Sequence, residues 1–300
     1  MRRHGGGLTV ILVLGLFLAA CGRPASPPGV QEIDERPPAS AFFANLYLPS
    51  PAASPRPGVV VLSGSEGGIR YSAATARELA SHGYPSIAVS YFGSPGQPTK
   101  LDSIPLEQFA AVVGELARQP GVDPRRLVLW GNSRGSEAAL LTASDHPDLV
   151  DAVIAQVPSS VVNSAVPDPT RPAWTREGRP VPYKPVGAAD PAPANTPDAI
   201  IPVERVRGPI LTVCGGRDAV WPSCPYSAAI ARRADTRPGV PPTTVLSYPD
   251  AGHTLSVLGP AVTGPIPGGD VPARGGGTAG ANARTVTDAQ PRVLDFLARL

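Results

Sequence analysis

Short apolar runs alternate with helically spaced stretches along most of this chain, and that rhythm narrows its fold to one class. Residues 59–62, 86–91, 127–130, 150–157, 210–213 and 243–248 are brief and largely apolar. They are too short for buried helices and read as strands covered on both faces. Between them, residues 72–81, 106–119, 136–144 and 227–234 carry apolar side chains at helical spacing. The punctuation agrees: His82-Gly83 stops one helix, Pro105 stands at the start of the next, and Pro120-Gly121 follows its end. A last helix runs through Val293, Leu294, Phe296, Leu297 and Leu300. Strands and helices in alternation predict an α/β fold with a mainly parallel central sheet flanked by helices.

Residues 40–48 read as an edge strand ahead of this core. Two stretches break the rhythm. Residues 158–208 are rich in Pro and weakly periodic, and 259–280 are rich in Gly and Pro. An insert as long as the first is expected to act as a lid or substrate wall. With 300 residues, 42% of them apolar, the chain has material for one large domain, placed at residues 39–300.

The N-terminus reads differently. Arg2 and Arg3 precede an apolar stretch, residues 8–20, too short to span a bilayer comfortably and built like a secretory signal. It closes on Leu18-Ala19-Ala20-Cys21-Gly22, which resembles the lipobox of bacterial lipoproteins, whose Cys is lipidated and becomes the new N-terminus. The expected layout is a signal peptide at 1–20, lipidation at Cys21, and a Pro-rich tether at 21–38. The other reading is an ordinary signal cleaved near Ala20. Either way the protein is exported. The lipobox places it outside the cytoplasm, anchored to the cell membrane. In an oxidising compartment the remaining pair, Cys214 and Cys224, is expected to form a disulfide. The net charge of +2 and the lack of a basic run after the leader set nucleic acid aside as a partner.

The chemistry concentrates around Gly131-Asn132-Ser133-Arg134-Gly135. A G-x-S-x-G match alone is weak. Here it follows a buried strand and precedes a helix, the setting in which a sharp turn lifts the Ser to the carboxyl edge of the sheet. Such a hydroxyl needs a base. Beyond the leader there are three histidines. His82 and His146 sit at helix ends, while His253 follows the last strand in a loop that returns to the same edge. The acid that orients such a base comes between the two in chain order on this kind of elbow. Asp218, after the strand at 210–213, fills that place. Asp250 is the runner-up, but its nearness to His253 suits a turn. Two backbone donors are needed for the oxyanion: the amide of Arg134, and one from Ser63-Gly64-Ser65-Glu66-Gly67, with Ser65 first and Glu66 second. Trp221 is read either as part of an acyl pocket or as core packing. Arg134 and Glu137 are left open, since an exposed elbow and helix start explains them as well as the resemblance given below does.

On these residues the chain resembles the C-terminal catalytic domain of acyl-CoA thioesterases and bile acid-CoA:amino acid N-acyltransferases, a branch of the α/β hydrolases. The resemblance is carried by Gly67-Gly68-Ile69, Leu79-Ala80-Ser81-His82-Gly83-Tyr84, Ser90-Tyr91-Phe92-Gly93, Ile104-Pro105-Leu106-Glu107 and Gly131-Asn132-Ser133-Arg134-Gly135-Ser136-Glu137. It continues with Ile201-Pro202-Val203-Glu204-Arg205, Asp218-Ala219-Val220-Trp221-Pro222-Ser223 and Tyr248-Pro249-Asp250-Ala251-Gly252-His253. The resemblance implies the α/β-hydrolase fold, a Ser or Cys nucleophile at position 133, and Asp218 and His253 as its partners. Ser rather than Cys there suits attack by water, so hydrolysis of an ester or thioester is expected, with no metal or organic cofactor. A dienelactone-hydrolase-like or peptidase activity on the same fold, and a lipoprotein that binds an acyl ligand without turning it over, are the alternatives.

Overall fold

The computed structural model describes residues 29–35, 43–50, 54–185, 196–259 and 273–300. The signal, Cys21 and most of the tether lie outside the described residues, as do parts of both irregular stretches.

An eight-stranded sheet runs through the molecule. Its strands are β1 (Val30–Glu35), β2 (Phe43–Pro49), β3 (Arg56–Leu62), β4 (Ser86–Ser90), β6 (Val122–Asn132), β7 (Ala152–Gln156), β10 (Ile210–Gly215) and β11 (Thr244–Tyr248). A small second sheet holds β5 (Ile104–Pro105), β8 (Trp174–Arg176) and β9 (Arg179–Pro180). The main sheet has the order β1-β2-β4-β3-β6-β7-β10-β11. From β4 to β11 every neighbouring pair is parallel, and β1 and β2 join antiparallel at one side.

Side chains alternate across the sheet, as strand geometry requires. Val60, Leu62, Leu127, Leu129, Val153 and Ala155 enter one buried cluster, and Val59, Val61, Val128, Trp130, Ala152 and Ile154 the opposite one. The first cluster is covered by α2 (Glu107–Leu116), α3 (Arg134–Asp145) and α4 (Ser223–Ala234). The second is covered by α1 (Arg70–Ser81) and α6 (Val286–Ala298), with the short α5 (Ala279–Arg284) just before α6. This is the α/β-hydrolase arrangement. No helix among the described residues is long and apolar enough to cross a membrane.

Two expectations are corrected. Val30–Glu35 lies in the stretch read as tether, yet it pairs with β2 along its whole length. Its strand character is hidden by its acidic composition, and Glu32 finds partners elsewhere in the chain. Glu32 accepts hydrogen bonds from Asn45 Nδ2 and Tyr47 Oη, both at 3.0 Å, and pairs with Arg77 at 3.1 Å. The strand expected at the edge, β2, is therefore second in the sheet. The described part of the insert is also well packed. Val161, Val162, Ala173, Trp174, Ile201 and Val203 are buried in it, and its backbone closes on itself through β8–β9 and two 3-10 turns, Pro197–Ala199 and Val203–Arg205.

Candidate active site

Strands β3, β6, β7, β10 and β11 are all parallel, so the loops that follow them leave from one edge of the sheet. The site is assembled there.

The turn after β6 is held by what its glycines lack. A Cβ on Gly131 would lie 2.1 Å from the Gly135 oxygen, and one on Gly135 would lie 2.4 Å from the Ser63 oxygen. Strand, turn and helix are thus closer than any side chain allows. Between them Ser133 takes φ 52° and ψ −115°, a conformation that costs a non-glycine residue on the order of 1–3 kcal/mol. It is fixed by the Ser133 N–H, which donates to Gln156 O at 2.9 Å. Ser133 also caps α3, so the positive end of that helix faces its hydroxyl.

Three predicted side chains meet at this point. His253 Nε2 is 2.8 Å from Ser133 Oγ, and His253 Nδ1 is 2.9 Å from Asp218 Oδ2. A carboxylate only accepts, so Nδ1 carries the proton toward Asp218 and Nε2 is left to accept from the serine hydroxyl. Ser133 is 5% exposed, and the side chains of Asp218 and His253 are 1% and 12% exposed. The other oxygen of Asp218 accepts from the Val220 and Trp221 amides at 2.9 and 3.2 Å. The loop carrying this acid is closed by a disulfide between Cys214 and Cys224. Gly275 O ties the acid loop to the His loop, accepting from Ala219 N at 2.9 Å and His253 N at 3.0 Å. A hydroxyl, an imidazole and a buried carboxylate in this line can pass a proton from the hydroxyl to the ring while the carboxylate steadies the charge that results.

The other candidates fall as follows. His82 caps α1, 3.2 Å from Glu78 and 3.0 Å from Gln290, and His146 caps α3. Asp250 forms an exposed ion pair with Arg217. Ser65 lines the cleft beside Ser133. Arg134 is the first residue of α3, where a backbone N–H has no partner within the helix. Trp221 is absent from the lining of the cleft. Its ring instead stands edge-on to His253, with centroids 5.3 Å apart, and its Nε1 donates to Val157 O at 3.1 Å. The indole packs behind the imidazole, the contact expected of the packing reading.

Of the two readings of Arg134 and Glu137, the exposed elbow and helix start is overturned. They are 2% and 0% exposed. Glu137 accepts from Asn163 Nδ2 at 2.7 Å, Asn163 N at 3.2 Å and Trp174 Nε1 at 3.1 Å, and lies 3.4 Å from Arg134 Nη2. Arg134 Nη2 in turn donates to Asn163 O at 2.8 Å. The partners come from the insert, which covers these charges.

A cleft of about 700 Å³ opens over Ser133 and His253. One wall is the start of α1, with Tyr71, Ala74 and Thr75, and another is Leu255, Val257 and Leu258. Gln156 joins the two sides, since its Oε1 accepts from Tyr71 Oη at 2.7 Å and its Nε2 donates to Leu255 O at 3.1 Å. Burial pushes the Tyr71 hydroxyl well above the usual tyrosine range, so it stays a donor. Sequence reasoning passed over Tyr71 and Gln156. A polar residue ending an apolar strand at the carboxyl edge was the available signal for Gln156. Among the described residues no group of three or more His, Cys, Asp or Glu is placed to hold a metal ion.

The comparisons agree with this architecture. Residues 71–261 match the model of the prolyl oligopeptidase family. Acyl-coenzyme A thioesterase 6 of Mus musculus is 28% identical over 236 residues, covering 76% of this chain and 55% of the relative. Acyl-coenzyme A amino acid N-acyltransferase 2 of Rattus norvegicus is 30% identical over 225 residues, covering 70% and 51%. The chain thus spans about half the length of the curated relatives it matches. Among solved structures, a protein described as a dienelactone hydrolase from Klebsiella pneumoniae superposes with a TM-score of 0.58 at 18% identity, over 90% of this chain and 99% of the other. An esterase from Pyrobaculum calidifontis gives 0.52 at 19%, over 75% of each. With strand order, elbow and sequence match in accord, the chain belongs to the prolyl oligopeptidase family and has the α/β-hydrolase fold.

Proposed function

We propose that this protein is an exported, membrane-anchored hydrolase that cleaves a carboxylic ester or acyl thioester through an acyl-enzyme on Ser133. The observation that carries this reading is the line Ser133–His253–Asp218 at the base of a cleft. Ser133 Oγ attacks the carbonyl carbon as His253 Nε2 takes its proton. The tetrahedral oxyanion is held by the amides of Arg134 and Ser65. Collapse expels the alcohol or thiol, protonated by His253, and leaves the acyl group on Ser133. Water then attacks, His253 again serving as base, and the carboxylic acid departs. Asp218 accepts from Nδ1–H throughout and remains ionised. Similarity to acyl-coenzyme A thioesterases supports an acyl substrate, and the apolar wall of Leu255, Val257 and Leu258 gives an acyl chain a surface to lie against.

Export and anchoring rest on the sequence alone: Arg2 and Arg3, the apolar run, and Cys21 directly after Ala19-Ala20. Incorporation of a palmitate analogue in a bacterial host, lost in Cys21→Ser, tests the anchor.

A fluorophosphonate probe tests the site. It should label the wild type and not Ser133→Ala, and ester hydrolysis should fall by at least about a thousandfold in that variant. A folded wild type that resists the probe would leave a non-catalytic acyl-binding lipoprotein as the better reading. Family membership favours one rival, a peptidase. A panel of p-nitrophenyl esters, thioesters and peptides separates the two, and cleavage of peptides alone would decide for the rival.

A further inference from the structure

The cleft is lined by three formally charged side chains among the described residues, Glu66, Arg77 and Glu78. One of them is answered by an opposite charge and a second has a hydrogen-bond partner. Arg77 pairs with Glu32 at 3.1 Å and lies over the ring of Tyr47, while Glu78 lies 3.2 Å from His82. Glu66 is different. Its Oε1 accepts from the Gly64 N–H at 2.9 Å, and among the described residues it has no ion-pair partner. Its Oε2 and Ser133 Cβ lie 2.6 and 3.2 Å from the point where a Cβ on Gly64 would stand. An exposed carboxylate without an ion-pair partner among the described residues is therefore tethered near Ser133 Cβ, on the loop after β3 that lines the cleft.

We infer that Glu66 sets the charge preference of this site, favouring an ester or thioester whose group close to the carbonyl is cationic or uncharged and disfavouring an anionic one. The inference rests on the hydrolase reading above and deepens it. A fixed charge a few ångströms from a substrate charge, partly screened by water, changes its relative binding by about three- to tenfold. The effect is confined to charge within a few atoms of the carbonyl. Phosphates at the far end of a long thiol arm lie beyond a screening length and are not sensed by this residue. Glu66 also opposes the developing oxyanion, but it does so for every substrate, so a ratio between substrates isolates the preference.

The test uses three butyryl thioesters that differ only in the thiol: thiocholine, its uncharged isostere 3,3-dimethylbutanethiol, and 2-mercaptoethanesulfonate. Wild-type kcat/KM should fall in that order. In Glu66→Gln the cationic-to-anionic ratio should shrink by about tenfold, and in the wild type it should shrink as salt is raised toward 1 M, where screening reaches about 3 Å. A ratio that stays within twofold of wild type in Glu66→Gln overturns the inference, as does a wild type that prefers the sulfonate. If none of the three is cleaved, the hydrolase reading fails. The charge order is then read by calorimetric binding of the same compounds to Ser133→Ala with and without Glu66→Gln. A flat order there, unmoved by the second substitution, refutes the preference on its own.

Discussion

Replacing Glu137 by Ala should destabilise the protein severely although it removes a surface-type residue three positions into a helix. In the native state its carboxylate takes hydrogen bonds from the Asn163 side chain, the Asn163 amide and Trp174 Nε1, and faces Arg134 at 3.4 Å with no exposure to water. Removing it leaves the Arg134 guanidinium buried beside only the Asn163 carbonyl and the Trp174 ring, with Nε and Nη1 already lacking partners. Breaking one side of a buried pair typically costs about 3–5 kcal/mol, which includes the orphaned donors in part. For a domain of this size, about 4 kcal/mol corresponds to a fall in Tm of roughly 8–16 °C. Urea unfolding followed by tryptophan fluorescence would measure it. The double variant Arg134→Met with Glu137→Leu removes both charges and should recover about half of the loss. Because the Arg134 amide is also the proposed oxyanion donor, kcat should fall in the single variant even where it remains folded. A loss below about 1 kcal/mol, or a double variant as unstable as the two singles added together, would refute the account.

Three further outcomes are expected. Cys214→Ser with Cys224→Ser, or reduction of the wild type, should cost about 3 kcal/mol from the loop it opens and should lower kcat, because that loop holds Asp218; unchanged stability and turnover would remove the disulfide from the account. Trp221→Ala should lower kcat by about tenfold with little change in KM, while Trp221→Phe, which keeps an aromatic edge against His253, should retain most activity; steady-state kinetics on one ester would decide. Burial holds the Asp151 carboxyl above the usual aspartate range. The folded state therefore binds the proton more tightly than the unfolded state, so this group's contribution falls as pH rises from the unfolded value through the folded one and is fully unfavourable above both. Asp151→Asn should accordingly be more stable than wild type at pH 7, provided its amide oxygen still accepts from Leu127 N, and the gain should vanish below about pH 3.5; a gain that persists at pH 3 would point to another cause.

Much of this architecture could be read in advance wherever a pattern was local. The runs at 59–62, 127–130 and 210–213 are strands because every residue in them but Thr212 is apolar, and the glycines at 131 and 135 identify the elbow because nothing else fits between strand and helix. His253 and Asp218 were reachable by placement, since chain order and sheet edge leave few alternatives. What stayed hidden depends on partners far away in sequence. Glu137 looks exposed until Asn163 and Trp174 arrive from a stretch with no periodicity. Val30–Glu35 reads as linker because half of it is acidic, and distant residues such as Asn45, Tyr47 and Arg77 make Glu32 acceptable in a sheet. Trp221 could not be assigned to pocket or packing because the side of the imidazole it covers is set by the strained backbone at Val157, whose carbonyl holds the indole.

The carbonyl of Gly275 clamps the loops of Asp218 and His253 together, and it arrives late. A ribosome making this chain releases the elbow more than a hundred residues before that clamp. Until it emerges, the bonds it accepts from Ala219 N and His253 N are missing, and the acid and base loops lack this tie. On the proposed reading of an exported hydrolase, that order of synthesis leaves the serine without this support until late in translation.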